Sequence, residues 1–168
     1  MPSGISQTGG RGTRVALFVA LFATPLVALG GCASSAGPAP DPATTVYAPD
    51  TGVDLALMEK TSSGLYIEEI AEGVGKNAMR GDRVRIHFVG WLPDGTLVDS
   101  TLGGEPYVFE LGSDEVIRGW NQGIVGMKVG GRRRLVIRPG LGYGVRGRSP
   151  QVPPNAILVF EIQLLDAN

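Results

Sequence analysis

The hexapeptide Glu115-Val116-Ile117-Arg118-Gly119-Trp120 places three bulky apolar side chains within five positions of the chain. Val116, Ile117 and Trp120 have the i, i+1, i+4 spacing of one helix face, which predicts a short helix carrying the indole. Gly119 lies inside this helix and Gly123 soon follows, although glycine is costly in helix interiors. The helix is therefore either a platform that another group approaches closely or an ordinary amphipathic helix with a core tryptophan.

The predicted helix begins at Glu115, whose carboxylate suits the positive end of a helix dipole. Asp114 or Ser113, just before it, has the side-chain oxygen of a typical N-cap. These residues therefore predict the position at which the helix starts.

The composition indicates one domain with appendages, rich in turns. The chain has 168 residues, 26 of them glycine, and only 18% are charged, which suits a β protein with tight loops. The net charge of -1 provides no field that would recruit nucleic acid.

The first 31 residues are predicted to be a signal peptide. Arg11 and Arg14 precede an apolar run, residues 15–29, which Pro25 interrupts and which is short for a membrane span. Leu29-Gly30-Gly31-Cys32 resembles the bacterial lipoprotein box, in which cleavage precedes a cysteine that then carries lipid. The alternative is an ordinary signal peptide with a chance cysteine. Cys32 is the only cysteine, so a disulfide within the chain is impossible.

Residues 32–63 are predicted to join this anchor to the domain. Residues 33–45 have three prolines and no apolar periodicity, which predicts a disordered tether. Residues 49–52 suggest a turn, and the alternation of Val53, Leu55 and Leu57 suggests a short accessory strand. With lipid on Cys32, the protein would be an exported, membrane-anchored bacterial lipoprotein, on the periplasmic or cell-surface side.

Residues 64–168 have the pattern of a single α+β domain. Alternating or β-rich segments separated by turns predict five or six strands in an antiparallel curved sheet that wraps around the short helix. The predicted strands are residues 65–70, 83–89, 97–100, 107–111, 132–138 and 157–165. Residues 139–154 form a long irregular loop, a feature that is often functional.

Several polar or outward positions are predicted to be solvated. His87 has no partner at metal-ligand spacing, so it is interpreted as a solvated strand residue and no metal site is expected. The arginines of the 132–138 strand are interpreted as solvent-facing and not as a nucleic-acid interface. In the last strand, Val159, Glu161 and Gln163 are assigned to the outer face.

A set of short motifs in order and with near-family spacing makes residues 64–168 resemble the FKBP-type peptidyl-prolyl cis-trans isomerases. The motifs are 95–100, Leu111-Gly112, 115–120, Gly123, Met127, Val129-Gly130, Tyr143-Gly144 and Val-Pro-Pro-Asn-Ala-Ile-Leu-Val-Phe at 152–160. The resemblance implies isomerisation of Xaa-Pro bonds without a metal or other cofactor. It also implies proline-containing polypeptides as partners and macrolides as inhibitors.

The same resemblance implies an apolar pocket with Trp120 as its floor. By carry-over, the backbone N–H of Ile117 and the hydroxyl of Tyr143 donate to carbonyls of the bound peptide, and the Asp99 carboxylate lies at the rim. The residues implied to line the pocket are Phe88, Val98, Asp99, Tyr107, Phe109, Val116, Ile117, Tyr143, Val152 and Phe160.

This sequence departs from the family pattern near the pocket. Val98 stands where the family usually has an aromatic residue, and Arg148 and Gln151 replace a histidine and an apolar residue. The loop at residues 102–104 is short and lacks the arginine that often pairs with the rim aspartate. Asp99 is therefore expected to be less firmly held.

Three functions remain open at this point. The first is isomerisation of Xaa-Pro bonds in exported proteins, in which a dry pocket favours the less polar twisted amide. The second is a weakly catalytic or non-catalytic proline-peptide-binding chaperone module, which Val98 favours. The third is an interaction domain in which Arg146 and Arg148 dock an acidic partner or lipid headgroups.

Overall fold

The computed structural model describes residues 38–168; the predicted signal peptide and Cys32 lie outside this range. The described residues form a curved antiparallel sheet and one short helix, which confirms the predicted α+β class and exceeds the predicted strand number. The strands are β1 Glu59–Lys60, β2 Tyr66–Ala71, β3 Arg83–Trp91, β4 Leu97–Ser100, β5 Tyr107–Glu110, β6 Arg132–Ile137 and β7 Leu158–Ala167, and the helix is α1 Arg118–Ile124. Within the described residues, no helix has the length and apolarity needed to cross a bilayer.

The sheet has the strand order β1-β2-β6-β7-β3-β4, and β5 also pairs with β3. The long strand β3 has two short partners on one edge: its first half pairs with β5, and Val89 to Trp91 pair with β4. The loop after β4 and the start of β5 therefore meet along this edge. This arrangement brings Val98, Asp99 and Tyr107 to the same region of the sheet.

Helix α1 lies very close to strand β6 because it contains glycines on the facing side. A Cβ atom on Gly119 would lie 2.7 Å from Cγ2 of Ile137, and one on Gly123 would lie 2.5 Å from Cδ1 of Leu135. Both distances are far inside van der Waals contact, so larger residues would push the helix away from the sheet. The two glycines indicated that another group approaches the helix closely. In the structure that group is strand β6.

The predicted start of the helix is wrong by three residues. The helix begins at Arg118 with Ile117 as its N-cap, and no side chain makes a capping hydrogen bond. The preceding residues are held in a turn by Asn121, whose side chain accepts from the Gly112 N–H at 2.7 Å and donates to the Ser113 carbonyl at 2.7 Å. Because this turn fixes the chain before Ile117, neither Ser113 nor Asp114 caps the helix.

The main core lies between the helix and the sheet. Alternate residues of β7, from Leu158 through Phe160 and Ile162 to Leu164, face the helix and are buried, as predicted. Their neighbours on the other face were expected to be outward, but Val159 is fully buried in a second apolar cluster.

This second cluster, the outer cluster, lies on the sheet face opposite the helix and is covered by the segment before β2. Its buried residues are Met58, Tyr66, Val136, Ile157 and Val159, and Tyr47, Val53, Leu55 and Trp91 pack against it. The Ala48 N–H donates to the Pro93 carbonyl at 2.7 Å, which joins the segment to the turn between β3 and β4. Burial raises the pKa of the Tyr47 hydroxyl, which donates to the Pro42 carbonyl at 3.0 Å.

The tether prediction is therefore wrong for its last residues. Pro42–Thr44 is a 3-10 turn with Pro42 buried, so the folded unit starts before the predicted end of the tether at residue 45 and before the predicted domain start at residue 64. The predicted turn at 49–52 is confirmed as a 3-10 turn, Pro49–Thr51, followed by Gly52. The accessory strand predicted at residues 53–57 is wrong, because Leu55–Leu57 is another 3-10 turn. The short strand in this segment lies at Glu59–Lys60 and was not predicted.

All three arginines of β6 are ion-paired, and two of them, Arg133 and Arg134, are not simply solvated. Arg134 donates to Glu68 at 2.6 Å and lies 3.2 Å from Glu161, and its side chain is only 14% exposed. Arg133 donates to Glu69 at 2.6 Å and to the Gly123 carbonyl at 2.9 Å. The solvated interpretation fails because neighbouring strands place carboxylates opposite these guanidinium groups.

Candidate functional site

A cleft of about 500 Å³ opens beside helix α1, and Trp120 forms its floor. The Trp120 ring meets Phe88 edge-on at a centroid distance of 4.7 Å and Phe160 at 5.2 Å, and it lies 6.0 Å from Tyr107. Edge-to-face aromatic pairs at such distances are favourable beyond simple area burial. The cleft therefore has a rigid aromatic floor and walls.

The position of the Phe160 ring depends on a glycine in β3. A Cβ atom on Gly90 would lie 2.8 Å from Cδ1 of Phe160 and closer still to the ring edge. Any larger residue at position 90 would therefore force the ring to move. Gly90 thus allows Phe160 to stand against the sheet as a wall of the cleft.

Most of the residues predicted for the pocket line this cleft. They are Phe88, Val98, Asp99, Tyr107, Val116, Ile117, Trp120, Tyr143 and Phe160. Phe109 and Val152 do not line it, and each is only 2% exposed. Phe109 lies behind the floor, with its ring 6.0 Å from Trp120. Val152 is held in the main core by a backbone bridge to Arg148, so these two residues support the walls.

Four lining residues were not among the predicted pocket residues: Thr101, Asp114, Glu115 and Arg148. Thr101 follows β4, and its hydroxyl accepts a hydrogen bond from the Phe88 N–H at 3.0 Å. The same hydroxyl lies 3.1 Å from Nδ1 of His87, which is half-buried and not simply solvated. Strand periodicity does not reveal such a contact, because Thr101 lies just beyond the strand end.

The backbone of Ile117 is arranged as a hydrogen-bond donor to the cleft. Ile117 has extended backbone angles just before the helix, and its carbonyl accepts from the N–H groups of Trp120 and Asn121. Within residues 38–168 its own N–H makes no hydrogen bond. Ile117 is a half-buried residue that lines the cleft, so its N–H is suited to bind a carbonyl of a ligand there.

Arg148 comes from the long loop and stands at the mouth of the cleft. Its Nη1 lies 3.4 Å from the Tyr143 hydroxyl and 3.7 Å from Oδ2 of Asp99. The other Asp99 oxygen accepts from the Ser100 N–H at 2.9 Å. The hydrogen bond to Tyr143 is the main cause that raises the pKa of the Arg148 guanidinium, and the Asp99 carboxylate adds to it. Asp99 was expected to be less firmly held because the loop at residues 102–104 lacks an arginine, and the structure places Arg148 of the long loop beside it instead.

The long loop, residues 139–154, has more regular structure than predicted. It contains two 3-10 turns, Pro139–Leu141 and Gly144–Arg146. The N–H of Arg148 donates to the Val152 carbonyl at 2.7 Å, and the reverse bond is 2.8 Å long. These paired bonds close the tip of the loop, which we call the flap, and fix the backbone from which the Arg148 side chain projects.

Among residues 38–168, no three histidine, cysteine, aspartate or glutamate side chains are close enough to hold a metal ion. The cleft combines an aromatic and aliphatic floor with a polar rim that includes three carboxylates and one guanidinium: Asp99, Asp114, Glu115 and Arg148. Such a site can hold and desolvate a polar but uncharged group.

Comparison with known proteins agrees with this geometry. Residues 75–165 match the family described as FKBP-type peptidyl-prolyl cis-trans isomerase. The FK506-binding protein of Neisseria meningitidis serogroup B is 46% identical over 103 residues, which cover 61% of this chain and 94% of that protein.

Solved structures show the same relationship. The peptidyl-prolyl cis-trans isomerase of Pseudomonas syringae pv. tomato is 33% identical with a TM-score of 0.61, and the match covers 67% of this chain and 81% of that one. FkpA of Escherichia coli is 39% identical with a TM-score of 0.62, over 67% of this chain and 52% of that one. The chain therefore belongs to the FKBP-type peptidyl-prolyl cis-trans isomerase family, and it is an enzyme of that type.

Proposed function

We propose that the cleft isomerises Xaa-Pro bonds in exported proteins while the chain is held at a membrane by lipid on Cys32. The observation that carries the catalytic part is the aromatic cleft above Trp120, with two donors at its rim: the Tyr143 hydroxyl and the Ile117 N–H, which has no partner among residues 38–168. The cleft binds the proline ring, and the two donors bind carbonyls of the peptide. The relatives named as FK506-binding proteins support macrolides of that type as competing ligands.

The cleft lowers the barrier by removing water from the amide. A planar Xaa-Pro amide is stabilised by resonance that makes it polar, and rotation passes through a twisted, less polar state about 18–20 kcal/mol higher. An apolar pocket disfavours the polar planar form relative to the twisted form, so it binds the transition state better than the ground state. A gain of four decades in rate corresponds to about 5.5 kcal/mol.

Each proposed site residue has one task in this scheme. Phe88, Tyr107, Val116 and Phe160 surround the proline and exclude water, and Trp120 supports it from below. The Asp99 carboxylate lies at the rim, where it is 48% exposed and 3.7 Å from Nη1 of Arg148.

Wild-type protein is expected to accelerate cis-trans exchange of an Ala-Leu-Pro-Phe peptide in a protease-coupled assay, and Val98→Phe should increase turnover. Val98 lines the cleft, and a phenyl ring there adds an aromatic wall worth about 1 kcal/mol, or roughly fivefold in rate. No acceleration by folded wild-type protein would contradict the isomerase function.

The second candidate function is a proline-peptide chaperone, which Val98 favours. The Val98→Phe variant also distinguishes this function from the isomerase. Suppression of aggregation of a reduced client protein is measured beside turnover. If Val98→Phe raises turnover far beyond that expected fivefold gain and leaves chaperone activity unchanged, binding is the main function of the wild type. A parallel change in both activities supports the isomerase.

Export and lipid attachment are supported by the basic start, the apolar run and the box that ends at Cys32. We expect Cys32→Ser to abolish incorporation of labelled fatty acid and to move the protein from the membrane fraction to the soluble fraction. The matched control is Ser34→Ala, close to the same site but outside the box. Labelling that persists in Cys32→Ser would contradict the anchor, whatever the outcome of the turnover assay.

A further inference from the structure

Arg148 is the guanidinium that lines the cleft, and its contacts reach two other lining residues. Nη1 lies 3.4 Å from the Tyr143 hydroxyl and 3.7 Å from Oδ2 of Asp99, and the guanidinium carbon lies 5.9 Å from the centre of the Tyr143 ring. The paired bonds between Arg148 and Val152 fix the backbone behind this side chain. One flap side chain thus contacts two polar groups that line the cleft, Tyr143 and Asp99.

The direction of the hydrogen bond decides what Tyr143 can do. A guanidinium has only donors, so in this contact the phenol oxygen accepts. The O–H proton of Tyr143 is then directed away from Arg148 and remains available for another acceptor. A cation that donates to a phenol oxygen also polarises the O–H group and makes it a better donor, because hydrogen bonds in a chain strengthen one another.

We propose that Arg148 is a positioning residue that fixes the Tyr143 hydroxyl as a donor toward the bound peptide, with Asp99 holding the guanidinium in place. This inference rests on the proposed function, in which Tyr143 donates to a peptide carbonyl. In this scheme the flap contributes to substrate binding by orienting a hydrogen-bond donor, in addition to the apolar packing and desolvation in the cleft.

The same contacts contribute little to folding. The side chains of Arg148 and Asp99 are 56% and 48% exposed, and exposed ion pairs are screened by water and salt. Removal of the Arg148 side chain should therefore leave the melting temperature almost unchanged. Its effect should appear in the Michaelis constant, because an anchoring hydrogen bond holds the planar and twisted peptide equally.

The test is a double-mutant cycle on the full chain with Arg148→Ala and Tyr143→Phe. In the wild-type background, Arg148→Ala should raise KM about fivefold and change kcat less than about twofold. In the Tyr143→Phe background the same substitution should change KM less than about twofold, because the hydroxyl that Arg148 orients is absent. Arg148→Lys, which retains the positive charge and N–H donors on a single nitrogen, should restore part of the affinity relative to Arg148→Ala.

The control is Arg146→Ala, which removes a positive charge from the same loop at a residue that does not line the cleft. Arg146→Ala should leave KM unchanged. That result would show that the loss of a positive charge from the loop does not by itself explain the effect of Arg148→Ala. Equal effects of Arg148→Ala in both backgrounds, or a fall in kcat with unchanged KM, would overturn the inference while active wild-type protein leaves the proposed function intact. Inactive wild-type protein would overturn both.

Discussion

A chain that starts at Ser62 is expected to lose on the order of 3 kcal/mol of folding free energy and to aggregate, although it retains every residue matched to the isomerase family. The deleted segment carries Met58, which is buried, and Tyr47, Val53 and Leu55, which cover the outer cluster. It also carries strand β1. Burial of one large apolar side chain contributes about 1.5–3 kcal/mol, and the entropy of ordering the segment offsets part of the sum.

Such a loss is a large part of the typical 5–15 kcal/mol stability of a domain. The truncation would also leave Val136 and Val159, now fully buried, on an uncovered sheet face, and exposed apolar patches promote association. Thermal unfolding followed by circular dichroism measures the effect, which should exceed about 10 °C in Tm. The control begins at Pro38 and keeps the whole covering segment. Equal Tm values for the two chains would show that the segment does not support the fold.

Trp120→Ala is expected to reduce kcat/KM by roughly hundredfold, which is about 2.7 kcal/mol of transition-state stabilisation. The substitution removes the floor of the cleft, so the proline loses its apolar support and water enters beside the amide. It also removes the ring that contacts Phe88 and Phe160 edge-on, and the folding free energy should fall by about 3–5 kcal/mol.

The protein provides a matched control for this variant, because its other tryptophan, Trp91, packs on the outer cluster. Trp91→Ala should lower stability and leave kcat/KM within about twofold of wild type, since the outer cluster does not line the cleft. Turnover is measured at a temperature where circular dichroism shows both variants folded. A similar loss of turnover in both variants would mean that Trp120 acts only through the fold.

The strands were predictable from the sequence because each depends on a local pattern. The apolar part of the cleft was predictable from the family motifs. Alternation in β3 and β7 gives the buried face directly, whereas the pocket floor at Trp120 was implied only by the resemblance of its motif to the family. The helix start was not predictable, since it depends on Asn121, a residue that follows the turn it fixes. Val159 was misplaced because its burial depends on a segment about a hundred residues earlier in the chain, residues 47–58.

The polar rim was predicted less well than the apolar walls. A family pattern assigns the partner of Asp99 to the loop at residues 102–104, and the short loop here lacks it. The structure brings Arg148 to Asp99 from the flap, a contact between residues distant in the chain. Phe109 and Val152 were assigned to the pocket from motif positions alone, whereas burial shows that they stand behind its walls.

The covering segment also determines how the protein would respond to mechanical force. If Cys32 carries lipid, as we propose, a client that pulls on the domain puts tension on the chain just ahead of Pro42. The first contacts to break would be those of Pro42–Thr44 and the hydrogen bond between Ala48 and Pro93. The strands that line the cleft would separate only later. Release of residues 42–58 would add to the tether a segment with an extended length of roughly 55 Å. The aromatic floor of the cleft would stay in place.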